Sequence, residues 1–426
     1  MSLLISGVEL VDATLPEPRK DAWVVVDGAV IREVGRGRAP RAERTLDLGG
    51  AWLLPGLWDV HTHLRSTTWT GRDPVQTIPD TILEHGRNAM DALRAGVTSL
   101  RVVGVAGWAD VAWRDAFASG RQPGPRLYCC GDAIRTTAGH DPFGGTRRMV
   151  AVDGADALVQ AVREQILHGV DQIKLITTGG IMGAGHDVMS AVMFLREELT
   201  AAVRIARQRG LPVAVHATAA LAVKWAVEAG AHSIEHGYLL DEEAAALMAR
   251  RGVYYVPTLA LSHLTRDQAR NSYEADYCAE HVLPDGFRER ANRFAPDHEA
   301  SFRLAREAGV KIASGSDQGP PCEAALLEIE LLARHGLGAH GALVAATRTA
   351  AEVCGAADRL GTVEPGKLAD LIAVTANPLE DAGNLRRLAL VVKDGQIVVD
   401  RRRSSAPVAT GELPGAVGAA ERRVPR

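Results

Sequence analysis

The chain has 426 residues, of which 46% are hydrophobic and 23% are charged, a composition that is typical of a folded globular protein. Its formal net charge is -4, and no basic block precedes the three arginines at 401–403. This charge distribution gives little support for binding nucleic acid or an anionic membrane. No uncharged run approaches membrane-spanning length, and residues 1–15 lack the features of a signal peptide.

The cysteines indicate the compartment in which the protein works. There are five of them, an odd number, and none forms a Cys-x-x-Cys pair. Such usage favours reduced thiols, so we expect a cytoplasmic location. We also expect a small-molecule substrate, with no nucleic acid and no membrane as partners.

Both ends of the chain have the pattern of short β-strands. The strand patterns, two of which contain an Asp-Gly turn, are at 3–11, 22–35, 45–54, 369–374 and 390–399. We therefore predict a small β-sandwich domain built from residues 1–55 plus 360–403. Residues 404–426 are rich in Ala, Gly, Pro, Ser and Arg, which predicts a flexible tail.

Between the two ends, short apolar runs alternate with helical patterns. The apolar runs are at 57–63, 97–104, 126–131, 170–176, 212–216, 231–236, 252–257 and 310–316. Strands alternating with helices predict parallel βαβ units, and eight of them predict an α/β fold of the (β/α)8 TIM-barrel type over residues 56–359. An open doubly wound sheet is the alternative, but no Gly-x-Gly-x-x-Gly opens a helix after the first strand. A polar insertion at 259–296 is expected to place helices over the barrel mouth.

Residues that bind metals follow the predicted strands. His61 and His63 end the first strand two residues apart, so they project from the same face. Catalytic groups of such barrels lie where the strands end. The other candidates at or near strand ends are Lys174, His216, His236 and Asp317. Together they predict a metal site at one rim of the barrel.

Each candidate also has a simpler interpretation. A histidine can be a buried core residue that bonds a backbone carbonyl, and Asp317 can cap a helix. Lys174 is harder to explain, because an unpaired ammonium in an apolar strand is energetically costly. Burial lowers the pKa of a lysine, and a neutral amine can add carbon dioxide to form a carbamate that could bridge two cations.

This ordered set resembles the amidohydrolase superfamily. The resemblance includes Leu-Pro-Gly-Leu at 54–57 and Glu-Pro-Gly-Lys-Leu-Ala-Asp-Leu at 364–371. It implies two divalent metal ions, with zinc expected and manganese or cobalt as alternatives. One would be held by His61, His63 and Asp317 and the other by His216 and His236, with carboxylated Lys174 bridging both. The mononuclear deaminase branch lacks that lysine. The resemblance also implies a homo-oligomer.

Within the superfamily the chain is most similar to the prolidase-type dipeptidases and the imidazolonepropionase-related amidohydrolases. The motifs that carry this similarity are at 139–140, 178–180, 235–238 and 256–259. The similarity implies an enzyme in which metal-activated hydroxide cleaves the amide bond of a small N-acyl amino acid or dipeptide. Hydrolysis of a lactone, carbamate or phosphoester at the same site is the alternative. A non-catalytic scaffold is disfavoured, since no ligand is missing.

Four residues receive roles in this hypothesis. Asp317 would accept the proton of the attacking water and pass it to the leaving nitrogen. His140 would stabilise the oxyanion, unless it is only a surface-loop histidine. Tyr238 would contact a substrate carboxylate, unless it only packs at the rim, and Arg135 is a weaker candidate for the same contact. Histidines away from the rim, among them His335, are interpreted as structural or solvated.

Overall fold

The computed structural model describes residues 2–65, 78–141, 149–183 and 187–402. The tail that the sequence predicts at 404–426 lies outside these residues. In the described part of the chain, no helix is both long and apolar enough to cross a lipid bilayer. The five cysteines are free thiols.

The described residues contain sixteen strands, most of them short and buried. In chain order they are β1 (Ser2–Leu10), β2 (Arg19–Asp27), β3 (Val30–Arg36), β4 (Arg44–Pro55), β5 (Leu57–Thr62), β6 (Val97–Val102), β7 (Arg126–Tyr128), β8 (Ala133–Arg135), β9 (Met149–Ala151), β10 (Ile173–Ile176), β11 (Val213–Ala219), β12 (Ser233–Leu239), β13 (Tyr254–Val256), β14 (Leu371–Val374), β15 (Leu388–Lys393) and β16 (Gln396–Asp400).

The same residues contain twelve α-helices. These are α1 (Ile78–Arg94), α2 (Ala109–Ala118), α3 (Ala155–Leu167), α4 (Arg196–Gln208), α5 (Ala220–Ala229), α6 (Glu242–Arg251), α7 (Ala260–His263), α8 (Ser272–Glu280), α9 (Asp285–Glu307), α10 (Pro321–Leu332), α11 (Gly338–Ala345) and α12 (Arg348–Val353). A π-helical turn (Ala333–Leu337) follows α10, and two short 3₁₀ turns are at Ala106–Trp108 and Ala382–Arg386.

The two chain ends form one seven-stranded sheet in the order β16-β15-β14-β4-β1-β2-β3. Only β1 and β4 pair in parallel; the other neighbours are antiparallel. The sheet folds over on itself, since the amide of Ile31 donates to the carbonyl of Lys367 at 2.7 Å. Its two halves therefore share one core, which includes Ile5, Val24, Ile31, Leu53, Leu371 and Leu390. This is the predicted β-sandwich; its exact boundaries, 1–55 plus 360–403, stay a prediction.

Apart from β9, which pairs in parallel with β8, the remaining strands form the barrel. β5, β6 and β7 pair in parallel, as do β8 and β10 to β13, and β7 and β8 are two parts of the third strand. The eighth predicted run closes the ring. The amide of Ala313 donates to Tyr255 and the amide of Val60 donates to Ser314, both at 2.9 Å. The eight-stranded barrel is thus the predicted one, closed between its first and last strands.

The helices cover the barrel with one apolar face each. In α4 the residues Leu199, Ala202, Val203 and Ala206 recur every three or four positions, and all four are buried. These faces pack into a single large core with the outward side chains of the strands. The alternation of strand and helix thus buries both surfaces of the parallel sheet.

Helix α9 is longer than the sequence pattern predicts. In the sequence alone, the helical pattern here covers only residues 296–308. The structure starts the helix at Asp285 and retains Pro296 inside it. Upstream of the proline, Phe287 and Ala291 are buried with Tyr238 at the barrel rim. This packing offsets the cost of an interior proline, which is about 3 kcal/mol.

An ion-pair cluster joins the barrel to the small domain. Arg126 at the start of β7 contacts the carboxylate of Asp370 at 3.2 Å and also pairs with Asp394. Asp370 is buried, and its backbone carbonyl accepts from the amide of Gly56 at 2.8 Å. Arg126 therefore neutralises a carboxylate that the interface removes from water.

Replacing Arg126 should loosen this interface. We expect Arg126→Met to cost about 1–3 kcal/mol, because it keeps the apolar stem but leaves the Asp370 carboxylate without its cation. A lower thermal midpoint by calorimetry is the expected readout. Arg163→Met, at an exposed position of α3, is the matched control and should change the midpoint little. Equal midpoints for both variants would contradict this role.

Candidate active site

The predicted metal ligands surround one pocket at the end of the barrel that is formed by the carboxyl ends of the strands. The residues that line it include His61, His63, Arg65, His140, Lys174, His216, His236, Tyr238 and Asp317. They come from the first, fourth, fifth, sixth and eighth strands and the adjoining loops. The structure therefore brings together the six side chains that the sequence selected, although their function as ligands stays a prediction.

Asp317 lies among three of the imidazoles. Its Oδ1 is 3.0 Å from Nε2 of His63 and 3.8 Å from Nε2 of His61, and its Oδ2 is 4.0 Å from Nε2 of His236. One ligand atom each of His61, His236 and Asp317 lies within 4.8 Å of the others. Donors that share one zinc ion lie about 3–4 Å apart, since each is about 2 Å from the metal. These spacings fit a shared cation.

The histidines of β5 and the loop after it are oriented through their second ring nitrogen. Nδ1 of His61 is 2.7 Å from the carboxylate of Glu235, and Nδ1 of His63 is 2.9 Å from the carbonyl of Gly104. A ring that donates from Nδ1 presents Nε2 as an acceptor. Metal-binding histidines in proteins are commonly held in this way.

The other two histidines are oriented similarly. Nδ1 of His236 is 2.8 Å from Oγ1 of Thr258, and Nε2 of His216 is 3.1 Å from the carbonyl of Gly179. Their rings are 4.5 Å apart at 65°, edge to face. In each ring one nitrogen is engaged with the protein and the other is available to a ligand in the pocket.

Two strand ends turn sharply to present their side chains. Glu235 points into the barrel, so in a regular strand its neighbour His236 would point outward. His236 instead has a φ of 71°, which turns its ring into the pocket. Asp317 has a φ of 50° at the end of the eighth strand. Non-glycine residues rarely adopt this left-handed region, and such strain is concentrated at functional sites.

Lys174 lies at the centre of this arrangement. Its side chain is 3% exposed, and its Nζ has no hydrogen-bond partner among the residues that the structure describes. Burial lowers the pKa of Lys174, whereas attraction to the carboxylates of Glu235 and Asp317 acts in the opposite sense. An unsatisfied buried amine is rare in folded proteins and calls for a chemical explanation.

Electrostatics set the protonation of the other side chains. Burial lowers the pKa of His61 to about 4 and the pKa of His216 and His236 well below their ordinary value. These rings are therefore neutral at pH 7, the form that binds metals. Burial would raise the pKa of Asp317, but His61 and His63 hold it below its usual range, so the carboxylate is ionised.

His140 is fixed in place although it comes from a loop. Its Nδ1 is hydrogen-bonded to the carboxylate of Asp187, and its ring stacks on His216 with the centroids 5.0 Å apart. Gly180 packs closely against the same ring, where an added Cβ would lie 2.4 Å from Cε1 of His140. The ring thus occupies a defined position beside the ligand cluster, which was not evident from the sequence.

The two predicted substrate contacts differ in position. Tyr238 is buried in the pocket wall, with its ring centroid 4.0 Å from that of His298. Arg135 is not among the described pocket-lining residues, and its guanidinium pairs with Asp141 at 3.1 Å. Arg65, which the sequence reasoning did not select, lines the pocket instead. The contact assigned to Arg135 stays a prediction.

The sequence reasoning also missed the charged pair behind His61. Arg101 of β6 contacts Glu235 of β12 across the barrel interior at 2.7 Å and also donates to Oγ of Ser233 at 2.9 Å. Arg101 holds the pKa of Glu235 below its usual range, although burial would raise it. In the sequence, a single arginine in one apolar strand and a single glutamate in another could have indicated this pair, because buried charges need partners.

A closed barrel whose rim gathers imidazoles, an aspartate and a buried lysine is the arrangement of a metal-dependent hydrolase. The chain belongs to the amidohydrolase family, whose sequence model matches residues 52–398. Metal dependence is typical of this family.

Three relatives support this assignment. A solved Xaa-Pro dipeptidase with methionine bound in its active site has a TM-score of 0.83 and 32% identity, and the match covers 93% of this chain and 99% of that one. Ochratoxinase from Aspergillus niger is 29% identical over 400 residues, 86% of this chain and 79% of that protein. Imidazolonepropionase from Methylobacterium nodulans is 26% identical over 407 residues, 84% and 90% respectively. They confirm the predicted resemblance, and the chain is a hydrolase.

Glu235 should control the affinity of the site for metal. We expect Glu235→Gln to weaken metal binding by about 10–100-fold, because His61 loses its charged partner and Arg101 keeps an uncompensated charge. Chelator competition followed by elemental analysis measures the change. Glu242→Gln, at an exposed position of α6, is the control. Equal retention of metal by the two variants would exclude this role for Glu235.

Proposed function

We propose that the chain is a binuclear metal-dependent hydrolase that cleaves the amide bond of a small N-acyl amino acid or dipeptide. The observation that carries this proposal is the buried Lys174 amine, which has no hydrogen-bond partner among the described residues and lies in a pocket with four histidines and one aspartate. A lysine in that position is explained if it is converted into an anion. The names of the relatives support an amide as the bond that is cleaved.

The donor set fits two divalent cations. Imidazole nitrogens and carboxylate oxygens are common ligands of zinc, the expected metal, and manganese or cobalt also suits them. His61, His63 and Asp317 would hold one ion, and His216 and His236 the other. When bound, such ions supply a hydroxide nucleophile at neutral pH and a Lewis acid for the substrate carbonyl.

Lys174 would bridge the two positions as a carbamate. The neutral amine forms a bond to the carbon of carbon dioxide and releases one proton, which leaves an anion with two oxygens. The lowered pKa of Lys174 supports this step, since only the neutral amine reacts. The modification also replaces a buried cation by an anion among metal ions, which removes the cost of the unpaired ammonium.

Asp317 would transfer the proton, and His140 would stabilise the oxyanion. The ionised carboxylate of Asp317 can take a proton from the attacking water and deliver it to the leaving nitrogen. Nδ1 of His140 donates a hydrogen bond to Asp187, so Nε2 remains to donate one to the oxygen of the scissile carbonyl. Because Asp187 and Gly180 fix the ring beforehand, no reorganisation is needed when charge develops.

The pocket walls suit an amino acid with a free carboxylate. Apolar side chains cover much of the wall, among them Val103, Met149, Ile176, Ile181 and Leu261. Tyr238 and Arg65 line the same pocket and can contact the carboxylate, with Arg135 as the weaker candidate. The methionine bound by the dipeptidase relative supports this class of ligand. The homo-oligomeric state and the cytoplasmic location stay predictions from the sequence.

Asp317 should be needed for turnover more than for retaining metal. We expect Asp317→Asn to keep most of the metal, since the histidines remain, but to lower kcat by about 100-fold or more. Steady-state kinetics and elemental analysis of the same preparation test both parts. Asp297→Asn, an exposed position of α9, is the control. An unchanged kcat would remove Asp317 from the proton-transfer role.

A substrate panel tests the proposed bond. Dipeptides and N-acyl amino acids with a free carboxylate should be hydrolysed, and their C-terminal amides should have a kcat/KM at least about 10-fold lower, because a charge-assisted hydrogen bond is lost. Lactones, carbamates and phosphoesters in the same panel represent the alternative function. Turnover of any of these together with inert dipeptides would overturn the amide assignment.

A further inference from the structure

A second group of metal-binding side chains lies outside the rim pocket. His263 ends α7, Glu299 lies in α9, and His335 lies in the π-helical turn Ala333–Leu337. One ligand atom of each lies within 4.8 Å of the others. We propose that these three residues bind a further divalent transition-metal ion such as zinc, at a site separate from the catalytic rim.

His263 has the environment of a metal ligand. The residue is 8% exposed, and its Nε2 has no hydrogen-bond partner in the part of the chain that the structure describes. Its Nδ1 lies 2.9 Å from Oγ of Ser262. One nitrogen is thus oriented by the protein while the other is buried without a partner, which is costly unless something binds there.

His335 and Glu299 are spaced as two ligands of one ion. Nδ1 of His335 is 3.6 Å from Oε1 of Glu299, which is too long for a hydrogen bond. Two ligands about 2.1 Å from a tetrahedral zinc ion lie about 3.4 Å apart. The rings of His263 and His335 meet edge to face with their centroids 4.5 Å apart. The exposed Glu299 leaves the site open to solvent, so water can complete the coordination.

The charges around these three residues influence how tightly they would bind a cation. Burial lowers the pKa of His263 to about 3 and also lowers the pKa of His335, so both rings are neutral at pH 7. Arg270 and Arg334 contribute positive potential at both rings, which opposes a cation. Arg334 is, however, paired with the buried Glu274. We expect binding that is weaker than at the rim.

A hydrogen-bonded chain links this group to the catalytic rim. Oγ of Ser262 contacts Nδ1 of both His263 and His298, and Nε2 of His298 lies 3.0 Å from the carbonyl of His236. Both nitrogens of His298 are therefore occupied, which excludes it as a ligand. A cation on His263 would fix α7, α9 and the π-helical turn relative to one another behind the rim.

The local backbone holds His335 toward the other two residues. Gly336 has a φ of 114°, and its carbonyl accepts from the guanidinium of Arg306 in α9 at 2.8 Å. A side chain at position 336 would be strained at this φ and would require that guanidinium to move. A π-helical turn of this kind often marks a functional position. The separation of 72 positions between His263 and His335 explains why sequence reasoning interpreted His335 as structural or solvated.

Zinc binding by the purified holoenzyme tests the proposal. After equilibrium dialysis against micromolar free zinc, elemental analysis should find one more equivalent in the unmodified protein than in Glu299→Gln or His335→Gln. Glu289→Gln, at an exposed position of the same helix, should retain that equivalent. Zinc should also raise the thermal midpoint of the unmodified protein and Glu289→Gln by a few degrees more than that of the other two variants.

Equal zinc stoichiometry in all four proteins would overturn the second site. Glu299 is exposed, so its replacement should not affect folding, and the result for His335→Gln is an independent check. The proposal does not depend on the proposed function. Dipeptide hydrolysis should persist in Glu299→Gln, so a loss of the rim activity and an absence of the second zinc site would be recognised separately.

Discussion

A charged ammonium group in a buried strand needs a counter-charge, and this constraint on Lys174 governs the barrel rim. The amine is enclosed by neutral imidazoles and ionised carboxylates, yet it makes no hydrogen bond to the described residues. Coulombic attraction to Glu235 and Asp317 only partly offsets the desolvation. Conversion to a carbamate that binds two cations would satisfy the amine, the imidazoles and Asp317 together. The proposed chemistry is thus also the simplest account of how this interior can be stable.

The rest of the barrel keeps these groups in position. The chain of contacts from His61 to Glu235 to Arg101 crosses the barrel interior and joins the first, second and sixth strands. Left-handed turns at His236 and Asp317 direct those side chains inward at strand ends. Rigid strands and buried partners thereby define the site before substrate arrives, which is a requirement for efficient electrostatic catalysis.

The sequence predicted those parts of the molecule that depend on local pattern. Short apolar runs that alternate with helical patterns located the eight barrel strands. Position at a strand end selected the four histidines and Asp317 of the rim, and Lys174 was selected because a lysine within an apolar strand is unusual. It did not predict partners that meet across the barrel, such as Arg101 with Glu235, because pairing between distant strands leaves no local pattern. The helical pattern at 296–308 also missed the first part of α9, because burial of Phe287 at the rim stabilises helix upstream of Pro296.

A crystal structure of the purified enzyme, with anomalous diffraction measured at the edges of zinc, manganese and cobalt, tests the central claim most directly. We expect two metal peaks at the rim, one beside His61, His63 and Asp317 and the other beside His216 and His236. Continuous density for a carboxylate should extend from Nζ of Lys174 between them. An unmodified Lys174 amine paired with Glu235 or Asp317, with no metal peak at the rim, would contradict the account.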